Sequence, residues 1–259
     1  MKNALCFLTV KPNKLFLDMI EKLTYYYKIF IMVDSNKYKI PKNKYNYTFI
    51  QLNEKVCEDK GYKSSVLWCN KRACSRDKAL YYFTYINHYS NYKFIWFIEE
   101  DVFIPRFNLL KGLDEKYENI DLILPKLEDV PEDWNLYSIT NTQINNTIPK
   151  PWFRSMICAL RLNSNMMKLI HNYTLKYKTL FLDEVFFPTL AIKNNLSVQV
   201  SPHLKGIVYR NDWKLDDIEF YVMYHPIKKI NRQIAFRSNI DRKYEQYLKN
   251  KYKFIIKKK

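Results

Sequence analysis

The apolar run Phe94-Ile-Trp-Phe-Ile98 stops at three successive carboxylates, Glu99, Glu100 and Asp101, and then turns apolar again through Val102-Phe-Ile104. An unbroken apolar run of this length reads as a strand covered on both faces, as in parallel sheets flanked by helices. Neighbouring carboxylates repel one another and are costly beside a core unless a cation or hydrogen-bond donors compensate them. In open α/β sheets, ligands gather outside the carboxyl ends of the strands. The run therefore predicts a buried strand that delivers acidic side chains to the ligand-binding edge of a sheet. The competing reading is a solvated strand end making a charged turn.

The rest of the chain supplies a sheet for that strand. Residues 4–10, 28–33 and 47–52 read as strands, the second stopping at Asp34-Ser35. Between the first two, residues 14–26 place Leu15, Met19, Ile20 and Leu23 at helical spacing. Residues 53–70 show no period and read as a loop. Ser75 is a candidate helix cap, with Asp77 in the first turn, for a helix reaching about residue 89. Strands follow at 121–125, 155–162 and 196–200, and a helix follows from residue 163 or 164. Residues 128–149 read as a long surface loop or lid. Phe181-Leu-Asp-Glu-Val-Phe-Phe-Pro188 leads into a helix in which Pro188 is expected only in the first turn. Residues 239–259 read as a basic helical tail. This alternation predicts an α/β fold with a mostly parallel central sheet. With 259 residues, 47% of them hydrophobic, one domain over 1–230 is expected, followed by the basic tail at 231–259. No linker divides the domain cleanly, although residues 1–125 and 126–230 form natural halves.

Three glycines, Gly61, Gly112 and Gly206, lie far apart. A Walker A loop or a dinucleotide fingerprint needs clustered glycines so that backbone N–H groups can approach phosphate, and both are excluded. Any nucleotide bound here must have its phosphates neutralised by a cation and by basic side chains. The net charge of +17 suits such a ligand. Heavy use of Lys and Asn throughout the chain accounts for the charge equally well, and a nucleic-acid partner is disfavoured. Five cysteines without a C-x-x-C pair exclude a structural zinc ribbon and suit a reducing compartment. Residues 1–10 are too short for a signal peptide, and no stretch reaches the ~18 apolar residues of a membrane span. A cytoplasmic protein is the expectation.

Hard divalent cations such as Mn²⁺ or Mg²⁺ take oxygen ligands, usually one or two carboxylates together with substrate phosphates. Alternation along an extended segment puts Glu99 and Asp101 on one face and Glu100 opposite. Asp101 is accordingly the first candidate ligand and Glu99 the second. His225, in Tyr224-His-Pro226, could offer a neutral imidazole from a returning segment, or could be a surface residue ahead of a turn. His203 is a weaker candidate, and His88 and His171 read as ordinary helix residues. Asp183 and Glu184, ahead of a helix N-terminus, are candidates for a general base or for simple capping. Arg76 and Lys78 could meet phosphates.

The first strand and helix, the second strand ending in Asp34, the helical Arg76-Asp-Lys-Ala-Leu80, Trp96-Phe-Ile-Glu-Glu-Asp-Val102, Arg154-Ser-Met-Ile-Cys-Ala-Leu160, Leu182-Asp-Glu-Val-Phe-Phe187 and Tyr224-His-Pro-Ile-Lys228 together resemble a GT-A-fold glycosyltransferase. The likeness spans roughly residues 1–230. It implies a Rossmann-like sheet flanked by helices, Mn²⁺ or Mg²⁺, and a nucleotide-sugar donor, a UDP-sugar being favoured. It also implies a glycan or protein hydroxyl as acceptor. By the same resemblance Asp101, Glu99 and His225 would hold the metal. Asp34, Arg76, Lys78, Glu99 and Glu100 would line the donor site, with Asp34 near the base. Asp183 or Glu184 would activate the acceptor, with inversion at the sugar carbon. Glu-Glu-Asp stands where such families carry D-x-D, which leaves metal-independent transfer open. The Lys- and Asn-rich composition also resembles enzymes of large DNA viruses.

Two other classes use similar residues. A metal-dependent nuclease would employ the same carboxylates, but no E-x-K or D-x-H accompanies them. A basic nucleic-acid-binding module would gain nothing from carboxylates at strand ends. The tail could also rest on an acidic membrane surface.

Overall fold

A computed structural model describes residues 3–42, 44–64, 73–144 and 147–256. Its centre is a seven-stranded sheet. In chain order, β1 (Asn3–Thr9), α1 (Lys14–Ile20), β2 (Tyr27–Val33), β3 (Thr48–Ile50), α2 (Glu54–Asp59), α3 (Ser75–Tyr81) and β4 (Phe94–Glu99) form the first half. The second half begins with α4 (Leu109–Lys116), β5 (Leu122–Leu124), β6 (Glu128–Asp129), α5 (Tyr137–Ile144) and β7 (Phe153–Arg154). It continues with β8 (Ala159–Asn163), α6 (Ser164–Tyr177), α7 (Asp183–Lys193) and β9 (Val198–Val200). A small pair, β10 (Gly206–Ile207) and β11 (Tyr224–His225), precedes the long α8 (Ile230–Ile256). The sheet order is β3-β2-β1-β4-β8-β5-β9, with β8 antiparallel to both its neighbours and the other pairings parallel. The mostly parallel α/β architecture is thus as expected.

Both faces of the central strands are buried, and period-two alternation sorts their residues between two cores. Cys6, Phe30, Met32, Ile95 and Phe97 pack on one side, and Leu5, Phe7, Ile29, Ile31, Trp96 and Ile98 on the other. The chain builds outward from β1 to β2 and β3, then returns to place β4 on the other side of β1. That reversal leaves a crevice at the carboxyl ends of β1 and β4, the topological switch point where open sheets bind ligands. Thr9 ends one strand and Glu99 the other.

Several local expectations change. The stretch read as a loop from residue 53 contains α2, capped by the Asn53 side chain, which accepts the Lys55 N–H at 2.9 Å. Its six residues are too few for apolar periodicity to show, and residues 65–70 of the expected loop lie outside the described residues. Cys74, not Ser75, is the N-cap of α3, with the Asp77 carboxylate accepting the Cys74 N–H at 3.0 Å. That helix passes at Tyr82 into a single π turn. The expected lid holds β6 and α5, and β6 pairs with β7.

Pro188 lies in the middle of α7 rather than its first turn. Lacking an N–H, it leaves the Glu184 carbonyl one turn back without a helical partner. The Ser155 N–H takes that carbonyl at 2.9 Å, while the Thr189 hydroxyl exchanges hydrogen bonds with the Phe153 backbone at 2.9 and 3.0 Å. The proline therefore docks β7 on α7 beside Glu184.

The tail is also more than an appendage. The helix α8 begins at Ile230, and Phe236 and Ile240 are buried against Phe103, Val222 and Tyr224. No helix among the described residues is long and apolar enough to cross a membrane.

Candidate active site at the end of β4

The acidic turn is anchored on every side by backbone. Glu99 N–H bonds to Cys158 O at 2.9 Å and Glu100 N–H to Leu8 O at 3.1 Å, which continues both neighbouring ladders past the strand end. The Asp101 carbonyl accepts the Ile227 N–H at 2.8 Å, and Gln233 Nε2 donates to the Glu100 carbonyl at 3.0 Å. Three carboxylates are thus held in fixed directions by β1, β8, the segment after β11, and α8.

Those directions diverge. Glu100 turns back toward β1, where the Thr9 hydroxyl donates to its carboxylate. Burial raises the Glu100 pKa, as does the Asp101 charge, while the Thr9 bond works the other way. Glu99 and Asp101 meet His225, whose Nε2 is 3.9 Å from Glu99 Oε2 and 3.4 Å from Asp101 Oδ1. His225 is 7% exposed, and its Nδ1 lies 2.7 Å from the Val208 carbonyl. A carbonyl only accepts, so Nδ1 carries the proton and Nε2 faces the carboxylates with its lone pair when the ring is neutral. Burial alone would lower its pKa, but the Asp101 hydrogen bond and charge, the Val208 carbonyl and Glu99 outweigh burial and raise it.

Arg76 and Lys78 reach this edge from α3. The Arg76 guanidinium bridges two carboxylates, Glu99 Oε1 at 2.8 Å and Asp183, and donates to the Ile157 carbonyl at 2.9 Å. It is 5% exposed and holds its charge firmly, because Asp183 and Glu99 outweigh the burial that opposes it. Lys78 Nζ pairs with Asp34 Oδ1 at 2.6 Å, with the lysine side chain 3% and the aspartate side chain 10% exposed. Both cations are engaged inside the protein, each tying α3 to a strand end or helix start.

Asp183 and Glu184 are the first two residues of α7, inside its first turn rather than ahead of it, and Leu182 holds the N-cap position. Their environments differ sharply. Asp183 faces Arg76. Burial pushes the Glu184 carboxyl up to about 7, aided by the Asp183 charge and opposed by Arg76, with Glu99 adding and Arg154 subtracting smaller effects. Two adjacent carboxylates, one ion-paired and one held near neutrality, are suited to different tasks.

The residues named from sequence thus gather at one edge, with Asp34 and Lys78 grouped beside β2 and the others around Arg76 and His225. His203 instead bonds through Nδ1 to the Tyr221 carbonyl at 2.7 Å, and His171 meets the Tyr62 hydroxyl at 3.2 Å. Thr9, Cys158, Val208 and Gln233 touch the site or its supports, and the Arg154 charge acts on Glu184 from β7. Arg154 and Cys158 fall in the segment 154–160 that carries the resemblance without being singled out there, and Thr9, Val208 and Gln233 have no signal of their own.

Two carboxylate oxygens and an imidazole whose Nδ1 is held by the Val208 carbonyl form a donor set that would fit Mn²⁺ or Mg²⁺, the cation displacing any proton on Nε2 and substrate phosphates completing the shell. An open cavity of about 330 Å³ is lined by Asp129, Tyr137, Lys150 and Trp152, at the end of α7 where Lys193 Nζ reaches the Lys150 carbonyl at 3.1 Å. A larger one of about 500 Å³ is lined by Tyr27, Lys28, Asn87 and Tyr92 and lies toward the opposite end of the parallel strands.

No protein-family model matches the sequence, and no curated protein matches it. Solved structures with a similar backbone include proteins described as glycosyltransferases. The crystal structure of apo mouse xyloside xylosyltransferase 1 is similar over 78% of this chain and 85% of its own, at 11% identity and a TM-score of 0.39. An active-site mutant of LgtC is similar over 91% of this chain and 95% of its own, at 10% identity and a TM-score of 0.48. A glycosyltransferase involved in glycosylation of the major capsid of PBCV-1 is similar over 89% of this chain and 98% of its own, at 7% identity and a TM-score of 0.37. At such identities and scores these likenesses do not decide what the protein does, which has to follow from the site.

Proposed function

We propose that the protein is a GT-A-like glycosyltransferase that moves a sugar from a nucleotide-diphosphate donor, a UDP-sugar being favoured, to a hydroxyl of a glycan or protein. The observation that carries this reading is the placement of Glu99, Asp101 and His225 at the β1/β4 switch point of a sheet that has no glycine-rich phosphate loop. A divalent cation held by these three residues would supply neutralisation of the diphosphate as it leaves.

The chain's own residues then have separable tasks. Arg76, itself buried, fixes Glu99 and Asp183 relative to one another through a hydrogen-bonded ion pair to each. Asp34, oriented by Lys78 at the end of β2, lies where the base of a nucleotide along the strand ends could be met. Glu184 is the general base. With a pKa of about 7 it is partly ionised at neutral pH and basic enough to take the acceptor hydroxyl proton. The acceptor oxygen forms a bond to the sugar C1 as the bond from C1 to the diphosphate oxygen breaks. Attack from the face opposite the leaving group inverts the configuration.

The reading is tested by thermal stabilisation with a panel of UDP- and GDP-sugars, with and without Mn²⁺. Stabilisation by one donor that needs Mn²⁺ and disappears in Asp101→Ala is expected. Absence of any shift across the panel would count against it.

A further inference from the structure

Cys158 takes no part in the mechanism above, yet it sits among its residues. It is the residue before β8, paired across from Glu99 through the Glu99 N–H to Cys158 O bond of 2.9 Å. The side chain is 5% exposed and the thiol is free. Its Sγ, a Glu99 carboxylate oxygen and a His225 ring nitrogen all lie within 4.8 Å of one another.

We propose that Cys158 is a ligand of the cation centre, so that Glu99, Cys158 and His225 together bind a thiophilic divalent cation of the zinc class. This rests on reading the β4 turn as a cation site: without donor phosphates, Cys158 takes the place of Asp101 beside Glu99 and His225, and the oxygen-rich set serves Mn²⁺ or Mg²⁺ when a nucleotide donor is bound. Bonds of about 2.0–2.3 Å to tetrahedral zinc put ligand atoms roughly 3.3–3.8 Å apart, so small side-chain rotations close the observed triangle. The donor set is mixed: one carboxylate, one thiol and one imidazole, the last with Nδ1 fixed on Val208 so that Nε2 is the free donor atom. Three protein ligands leave one position open, as in catalytic rather than structural zinc sites. A sulfur ligand shifts preference away from Mg²⁺ and Mn²⁺ and toward zinc and cadmium. On binding, the thiol S–H proton passes to solvent and the sulfur lone pair forms the metal bond, with no change of oxidation state.

The competing account of Cys158 is a small apolar filler, since it packs in the same core as Ala159 and Ile98. Titration of the full chain with Cd²⁺, without nucleotide, separates the two through the ultraviolet charge-transfer absorption of a cadmium–thiolate bond. A band that saturates with one equivalent, is removed by added Zn²⁺ and is absent in Cys158→Ala but intact in Cys57→Ala is expected. His225→Gln and Glu99→Gln keep the sulfur, so they guard against a misfolded cysteine variant. Each should weaken Cd²⁺ binding by about tenfold or more. The absence of a thiolate band, its persistence in Cys158→Ala, or unchanged affinity in both other variants would overturn the proposal. The readout involves no sugar donor, so a cadmium band without donor binding would leave the metal site standing and remove the glycosyl transfer reading.

Discussion

Glu184 shows how one side chain's setting becomes a measurable property. Its carboxyl is raised from 4.5 to about 7, chiefly by burial. The native state therefore holds that proton more tightly than the unfolded chain, and stability is lost as pH rises from 4.5 through about 7. Glu184→Gln removes this loss. In metal-free urea unfolding, the variant should be more stable than the parent by on the order of 1–3 kcal/mol above about pH 8, with the difference vanishing toward pH 4. A pH-independent difference would show that Glu184 does not titrate in this way. The same variant should keep donor binding but lose about 10²–10⁴-fold in transfer rate, because the proton acceptor is gone. Sequence alone could place Asp183 and Glu184 together at a helix start but could not tell them apart. The distinction depends on Arg76, more than a hundred residues earlier, occupying one carboxylate and leaving the other desolvated.

At the scale of elements, α8 and α7 do more than their sequences suggest. The basic composition of the C-terminal stretch hides Gln233, Phe236 and Ile240, which seat its first turns against Phe103 and the Glu100 carbonyl. Ile240 is fully buried, so Ile240→Ala should cost about 2–5 kcal/mol in urea unfolding. A cost below about 0.5 kcal/mol would mean that α8 is attached rather than integral. Continuous apolar strands and the Asn163-capped α6 were legible because period and caps are local signals. The two-residue strands β6, β7, β10 and β11 were not, being too short to show any period. Pro188 misleads for a definite reason: its freed carbonyl finds a partner in Ser155, which no local rule anticipates.

At the scale of the molecule, strand order decides where chemistry can occur. The acidic turn could be read from residues 94–104, but its partners come from α3, α7, β11 and the segment before β8. Alternating strands and helices announced a parallel sheet; the reversal that puts β4 beside β1 emerges only from the topology, and it creates the crevice. If the proposed function holds, the net charge of +17 would help draw a diphosphate toward that edge. The most direct test is release of nucleoside diphosphate from a panel of nucleotide sugars, assayed with and without added divalent cation. Release from at least one donor, dependent on the cation and abolished in Asp101→Asn, is expected. No release from any donor, with cation-dependent cleavage of single-stranded DNA or RNA instead, would contradict it.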